Sequence, residues 1–218
     1  MLGFLDGTYF KSTELRKTNQ RYIMNKKRIQ PKDLITVGIF SAIMMVVCFA
    51  ASMLGFIPIF IPLLSVCVPL VGGIPFMLFL TKAQKFGMVT IMGIIVGILT
   101  GLLGMGVWVI LTMSVFGLVA DLIMRSGEYK SAVKSIIGYG VYSLGMIGNY
   151  IPIVFARDSY GEMLLGSGFS QEYVDTMMGY MPDWSLLPLL AASFVSGVVG
   201  ALIGKALMKK HFVRAGIA

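Results

Sequence analysis

Charge is scarce in this chain. Of its 218 residues 13% are Asp, Glu, Lys or Arg, and 57% are hydrophobic; soluble domains have roughly 25% and 45–50%. Both departures point to lipid as the solvent and exclude an ordinary water-soluble domain. Histidine is nearly absent: the one example, His211, sits in a basic tail beside Lys209 and Lys210. A membrane metalloprotease needs clustered His and Glu ligands, which a chain with one histidine cannot supply. The two cysteines, Cys48 and Cys67, lie inside apolar runs. They read as small buried hydrophobes, without a disulfide framework or a metal site. No glycine-rich loop is followed by Lys-Ser or Lys-Thr, so the chain has no usual nucleotide site. Any uphill transport must draw on an ion gradient or another subunit. No nucleophile–base constellation stands out, so an enzyme is not expected, nor is a cofactor.

The net charge is +8. A nucleic-acid binder would cluster it on a folded soluble face; here the basic residues lie between apolar runs, as topology signals. Six apolar stretches are long enough to cross ~30 Å of hydrocarbon: 34–54, 58–80, 87–103, 107–124, 133–156 and 186–208. Gly101, Gly104 and Gly106 supply the break between the third and fourth. Lys and Arg accumulate in cytoplasmic loops. Arm 1–33 carries eight, the second connection Lys82 and Lys85, the fourth Arg125, Lys130 and Lys134, and the tail Lys205, Lys209, Lys210 and Arg214. The exception is Arg157, whose loop also holds Asp158, Glu162, Glu172, Asp175 and Asp183. The expected architecture is an all-α integral membrane protein, a six-transmembrane-helix bundle with both termini cytoplasmic. Its parts are a basic arm (1–33), a membrane domain (34–208) with an outer loop (157–185), and a basic tail (209–218). Met24 opens the run Met24-Asn25-Lys26-Lys27-Arg28, so either Met1 or Met24 can be the natural start.

Membrane helices associate by close contact, which needs small residues. The third span has Gly93, Gly97 and Gly101 at four-residue spacing, and the sixth Ala192, Ser196, Gly200 and Gly204; both rows read as internal packing. The first span has Gly38, Ala42 and Ala50, interrupted by Val46, and could face a different protein. Pro58, Pro62, Pro69 and Pro75 must kink or break the second span. Its outer end, 55–62, is expected to be irregular and to dip over something at the outer face.

In the fifth span, at ~100° per residue, Tyr139, Tyr142, Met146, Asn149, Tyr150 and Ile153 share one arc. The glycines 138, 140, 145 and 148 take the other faces. An amide facing lipid is costly, so Asn149 points inward, either into a pocket or to another helix. Asp121, near the inner end of the fourth span, is either an ion site or a partner of Arg125 at i+4. In the outer loop Ser170 caps a helix running to about Met178 and ended by Gly179. Phe169 and Val174 are spaced as a hydrophobic staple. Val174, Met177, Met178 and Met181 share one side of this helix, as a lid or an interfacial helix. The expected ligand is a small, flat or aromatic nutrient held by the fifth-span arc. The three methionines close over it, and Arg157 stands at the mouth for an anionic group.

The run Asp33-Leu-Ile-Thr-Val-Gly-Ile-Phe-Ser-Ala42, the turn Ile57-Pro-Ile-Phe-Ile-Pro62 and the glycine-rich third span resemble the Trep_Strep family. The resemblance covers about residues 30–212. It implies a substrate-binding S component of an energy-coupling factor (ECF) importer in the bacterial cell membrane. Such a subunit captures a micronutrient from outside and works with a transmembrane T component and two cytoplasmic ATPases. The resemblance also implies docking of the T component on an Ala-x-x-x-Ala motif of the first span, which Gly38 and Ala42 match as Gly-x-x-x-Ala. The alternative reading is a self-sufficient secondary transporter or channel.

Overall fold

The computed structural model describes residues 29–209. Most of the basic arm, Met24, Lys210, His211 and Arg214 lie outside the described residues. Within them the elements are helices and turns, with no strand. Helix α1 spans Pro31–Ser52, α2 Phe60–Lys82, α3 Met88–Thr100, α4 Gly106–Arg125, α5 Ala132–Ser143, α6 Ile151–Phe155, α7 Arg157–Gly166, α8 Gln171–Tyr180 and α9 Leu186–Leu207. Four helical stretches are long and apolar enough to cross a membrane: Pro31–Phe56, Phe60–Lys82, Met88–Arg125 and Asp183–Leu207.

The 38-residue stretch Met88–Arg125 folds back on itself. Gly104 and Gly106 have φ of 102° and 76°, a region that favours glycine, and they reverse the chain between α3 and α4. The packing confirms the reversal. A Cβ on Gly93 would meet Met113 O at 2.7 Å, one on Gly97 would meet Ile110 Cα at 3.2 Å, and one on Gly101 would meet Gly106 O at 2.9 Å. The register runs antiparallel, and the third-span glycines are its contact stripe.

Helices α2 and α9 cross in parallel on matched four-residue steps. A Cβ on Gly200 would meet Leu70 O at 2.6 Å, and one on Gly204 would meet Gly73 O at 2.6 Å. Ser196 Oγ donates to Ser65 O at 3.3 Å. Pro69 lacks the N–H that would reach Ser65 O in an unbroken helix, so the neighbouring serine supplies a donor to the acceptor the proline leaves. Tyr139 Oη donates to Pro69 O at 2.8 Å.

The fifth apolar segment is helical only in pieces. Helix α5 ends at Ser143, residues Leu144–Asn149 form a 3-10 turn, and α6 starts at Ile151 with Pro152 in its first turn. Gly145 and Gly148 in that turn lie tight against α4, and Thr112 Oγ1 donates to Gly145 O at 2.7 Å. That carbonyl is the one Asn149 N–H would use in a continuous α-helix. A 3-10 turn advances ~120° per residue, so the arc expected at 100° divides. Tyr139 and Tyr142 keep one direction, and Met146, Asn149 and Tyr150 rotate to another.

At the basic end, the Asp33 carboxylate accepts the Gln30 backbone N–H at 2.7 Å, capping α1, and pairs with Lys85 Nζ at 2.6 Å. The expected Asp121–Arg125 pair is replaced by other contacts. Asp121, fully buried, accepts from Gly87 N at 2.8 Å, Thr90 N at 3.1 Å, Thr90 Oγ1 at 2.8 Å and Tyr129 Oη at 2.6 Å. Exposed Arg125 lies over the Phe86 ring, 4.7 Å from its centroid. A buried carboxylate is best served by fixed donors, and the first N–H groups of α3 have no partner of their own.

At the opposite end Ser170 Oγ accepts Tyr173 N–H at 3.2 Å and starts α8 as expected. Phe169 stacks on Phe56, with centroids 6.2 Å apart, and lies 4.6 Å from the Tyr173 ring. Helix α7 falls in a segment read from sequence as loop.

Candidate ligand cavity

A cavity of about 210 Å³ opens at the end of the bundle away from Lys85 and Arg125. One water needs roughly 10–15 Å³ on this measure, so the space is ligand-sized. Met45, Cys48, Phe49 and Ser52 line it from α1, and Ile61, Leu64 and Val68 from α2. Val96 and Thr100 of α3, Leu103 and Met105 of the turn, and Val109 and Met113 of α4 form the far wall. Met146, Asn149, Tyr150 and Ile153 come from the broken fifth segment, and Tyr160 from α7. Apolar walls with a few placed polar groups are typical of ligand pockets.

The break in the fifth segment decides which expected residues reach this space. Met146, Asn149 and Tyr150 line it. Tyr139 and Tyr142 do not: both are buried in an aromatic cluster on Phe76, with centroids 4.5 and 4.8 Å away. The methionines Met177 and Met181 are buried in an outer cluster with Tyr150, Ile153 and Leu189, and Met178 is half-buried against it. They pack behind the cavity wall and are not among its lining. Arg157 is engaged elsewhere. Its guanidinium donates to Met178 O at 2.8 Å and to Met181 O, and lies 3.5 Å from Asp183 Oδ1, so it fastens the end of α8 to α7. Gly38 and Ala42 are exposed on α1, and a Cβ on Gly38 would meet nothing within 4 Å.

Two polar atoms here are buried and unpaired. Asn149 Oδ1 and Tyr142 Oη have no hydrogen-bond partner, whereas buried polar atoms are paired in the large majority of cases. Three hydroxyls of the lining are occupied as donors: Ser52 Oγ to Phe49 O at 2.8 Å, Thr100 Oγ1 to Val96 O at 2.7 Å, and Tyr150 Oη to Ile61 O at 3.2 Å. Among the described residues the Asn149 amide and the Tyr160 hydroxyl are the wall groups with unmet hydrogen-bonding capacity, and of the two Asn149 has the buried unpaired atom.

The outer end is covered by α7 and α8. Tyr173 Oη donates to Gly55 O, and the Phe56–Phe169 stack lies beside it. Together they fasten α8 to the irregular turn after α1, so that turn underlies α8. Val174 and Met177 face inward, and Glu172 and Asp175 outward. Burial pushes the Tyr160 and Tyr173 hydroxyls above the usual phenol range, so both stay neutral.

Sequence reasoning concentrated on the fifth span and missed the contributions of α1, α3 and α4. A signal was present in α1. Met45, Cys48 and Ser52 recur at helical spacing and form a row of soft and polar atoms.

Residues 31–214 match the family described as hypothetical bacterial integral membrane protein (Trep_Strep). No curated protein and no solved structure matches the chain. The match takes in every described helix from α1 to α9, and the chain belongs to the Trep_Strep family of bacterial integral membrane proteins.

Proposed function

We propose that this protein is the substrate-binding membrane subunit of an ECF-type importer, capturing a small nutrient at the outer face. The observation that carries the reading is the roofed, ligand-sized cavity with the unpaired Asn149 amide in its wall, at the end of the bundle away from the basic connections. In this reading six segments cross the bilayer, α3 and α4 as separate crossings and the broken fifth segment as another. By the positive-inside rule the Lys85–Arg125 end is cytoplasmic. The cavity then faces outward under α7 and α8, whose fastening to Gly55 and Phe56 has to open for the ligand to enter. The chain has no nucleotide motif of its own, so release to the inside requires a T component and two ATPases. Exposed Gly38 and Ala42, with open space beside Gly38, suit a close helix–helix contact with the T component.

The secondary-transporter reading requires a coupling group, and Asp121 was its candidate. Asp121 instead receives four donors from the fold, outside the cavity. The deciding experiment is affinity purification of the tagged chain from its native membrane. Two ATPases and a membrane partner should accompany it, and Ala42→Trp should remove them while the isolated chain stays folded. Transport by the purified chain alone in liposomes, without ATPases, would replace this reading with the secondary transporter.

A further inference from the structure

Resting on the importer reading, we infer that the cavity takes an uncharged, largely apolar small molecule whose polar group hydrogen-bonds the Asn149 amide. The lining contains no Asp, Glu, Lys, Arg or His. An ionic guest would therefore leave its charge without a counter-ion among apolar walls, an arrangement that is strongly disfavoured. Arg157, the nearest candidate for an anion, has its donors on the Met178 and Met181 carbonyls beside Asp183. Releasing it would unfasten α8.

The most exposed lining residues, Phe49 at 59% and Leu103 at 60%, are apolar as well. The hydrogen-bonding capacity of the wall is small and centred on Asn149. Ser52, Thr100 and Tyr150 have given their hydroxyl protons to backbone carbonyls and leave a guest only lone pairs. Asn149 Oδ1 adds an unpaired acceptor. The Asn149 amide accepts through Oδ1 and donates through Nδ2, so a guest's polar group of either kind is met there.

Cys48 lies in the wall and is a ready reporter. In Cys67→Ala it is the sole cysteine of the chain. The full chain in lipid nanodiscs is treated with three methanethiosulfonates of similar size: hydroxyethyl (neutral), sulfonatoethyl (anionic) and trimethylammonioethyl (cationic). Rates are normalised to those on free cysteine. The neutral reagent should modify Cys48 at least ten-fold faster than either charged one. Adding Ser52→Asp, one helical turn from Cys48 at the cavity edge, should raise the cationic rate at least ten-fold if the wall sets the exclusion. A neutral preference below ten-fold, no modification by any reagent, or no response to Ser52→Asp overturns the inference. The importer reading has a separate readout. If charged reagents enter while the ATPases still co-purify, the importer stands with an ionic substrate. If the ATPases are absent while the neutral preference holds, the ligand class stands and the importer falls.

Discussion

Asp121 Oδ2 accepts the Gly87 backbone N–H at 2.8 Å, so a side chain of α4 caps α3. Gly87 has φ of 99° and no side chain, and cannot cap the helix itself. The carboxylate takes the first donors of α3, where the helix dipole favours negative charge. Its other oxygen holds Tyr129, so three segments meet on one group. Asp121→Leu should destabilise the protein by about 3 kcal/mol or more, because several buried donors lose their acceptor together. Asp121→Asn keeps an acceptor and should cost about 1–2 kcal/mol. Apparent melting temperatures of the purified chain in one detergent test this; Asp121→Leu melting with the unmodified protein would contradict it.

Tyr129 predicts a pH dependence. Burial and the Asp121 carboxylate both push its hydroxyl above the ordinary phenol value. A group with a raised folded pKa stabilises fully below its unfolded pKa, about 10 for tyrosine, and that contribution fades as pH rises above it. The stability gap between the unmodified protein and Tyr129→Phe should therefore be constant from neutrality to about pH 9. It should narrow in more alkaline buffer, and widening there would be the wrong sign. The turn carrying Tyr129 has Glu128 and Tyr129 at φ of 52° and 58°, an uncommon conformation for residues with side chains, which the Asp121 bond helps to hold.

The same substitution should act oppositely at two glycines. Gly200→Ala sets a Cβ against Leu70 O and Leu70 Cα, at 2.6 and 3.0 Å. Backbone atoms cannot rotate away, so α2 and α9 must separate, at about 1–3 kcal/mol. Gly38→Ala meets nothing within 4 Å, and alanine is the better helix former by about 0.8–1 kcal/mol. In the isolated chain the first variant should melt lower and the second slightly higher. Equal shifts would mean that the α2–α9 crossing is looser than described.

The helical class, the α3–α4 break and the Ser170 cap were legible because each depends on local chemistry: apolar run length, paired glycines and a serine ahead of an amphipathic stretch. The small-residue rows of the third and sixth spans were legible for the same reason. The division of the fifth-span arc was not. It depends on Thr112, more than thirty residues away in sequence, donating to Gly145 O and favouring a tighter turn. The Asp121 cap was hidden because i+4 spacing suggests Arg125, whereas the donors lie on a helix start that only the fold brings near. Arg157 looked free for a ligand because its carbonyl partners belong to the chain reversal after α8. Its position in an acidic loop carried no sign of them.

Asn149 tests the cavity most directly, because replacing it should have opposite effects on stability and binding. In the ligand-free chain Oδ1 is buried without a partner, and an unmet acceptor costs about 1–3 kcal/mol. Leucine has similar bulk, suits a membrane-embedded segment and removes the unmet group, so Asn149→Leu should raise the melting temperature of the empty protein. The same change removes the hydrogen bond a ligand would make and should weaken binding at least ten-fold, about 1.4 kcal/mol. Tyr142→Phe is the control. It also removes a buried unpaired hydroxyl, but in the aromatic cluster outside the cavity lining, so it should stabilise the chain without changing ligand affinity. Melting curves of the two purified variants, followed by titration with whatever small molecule is extracted from the native protein, separate the roles. If Asn149→Leu lowers the melting temperature, the amide holds the fold together, and the reading of it as a ligand contact fails.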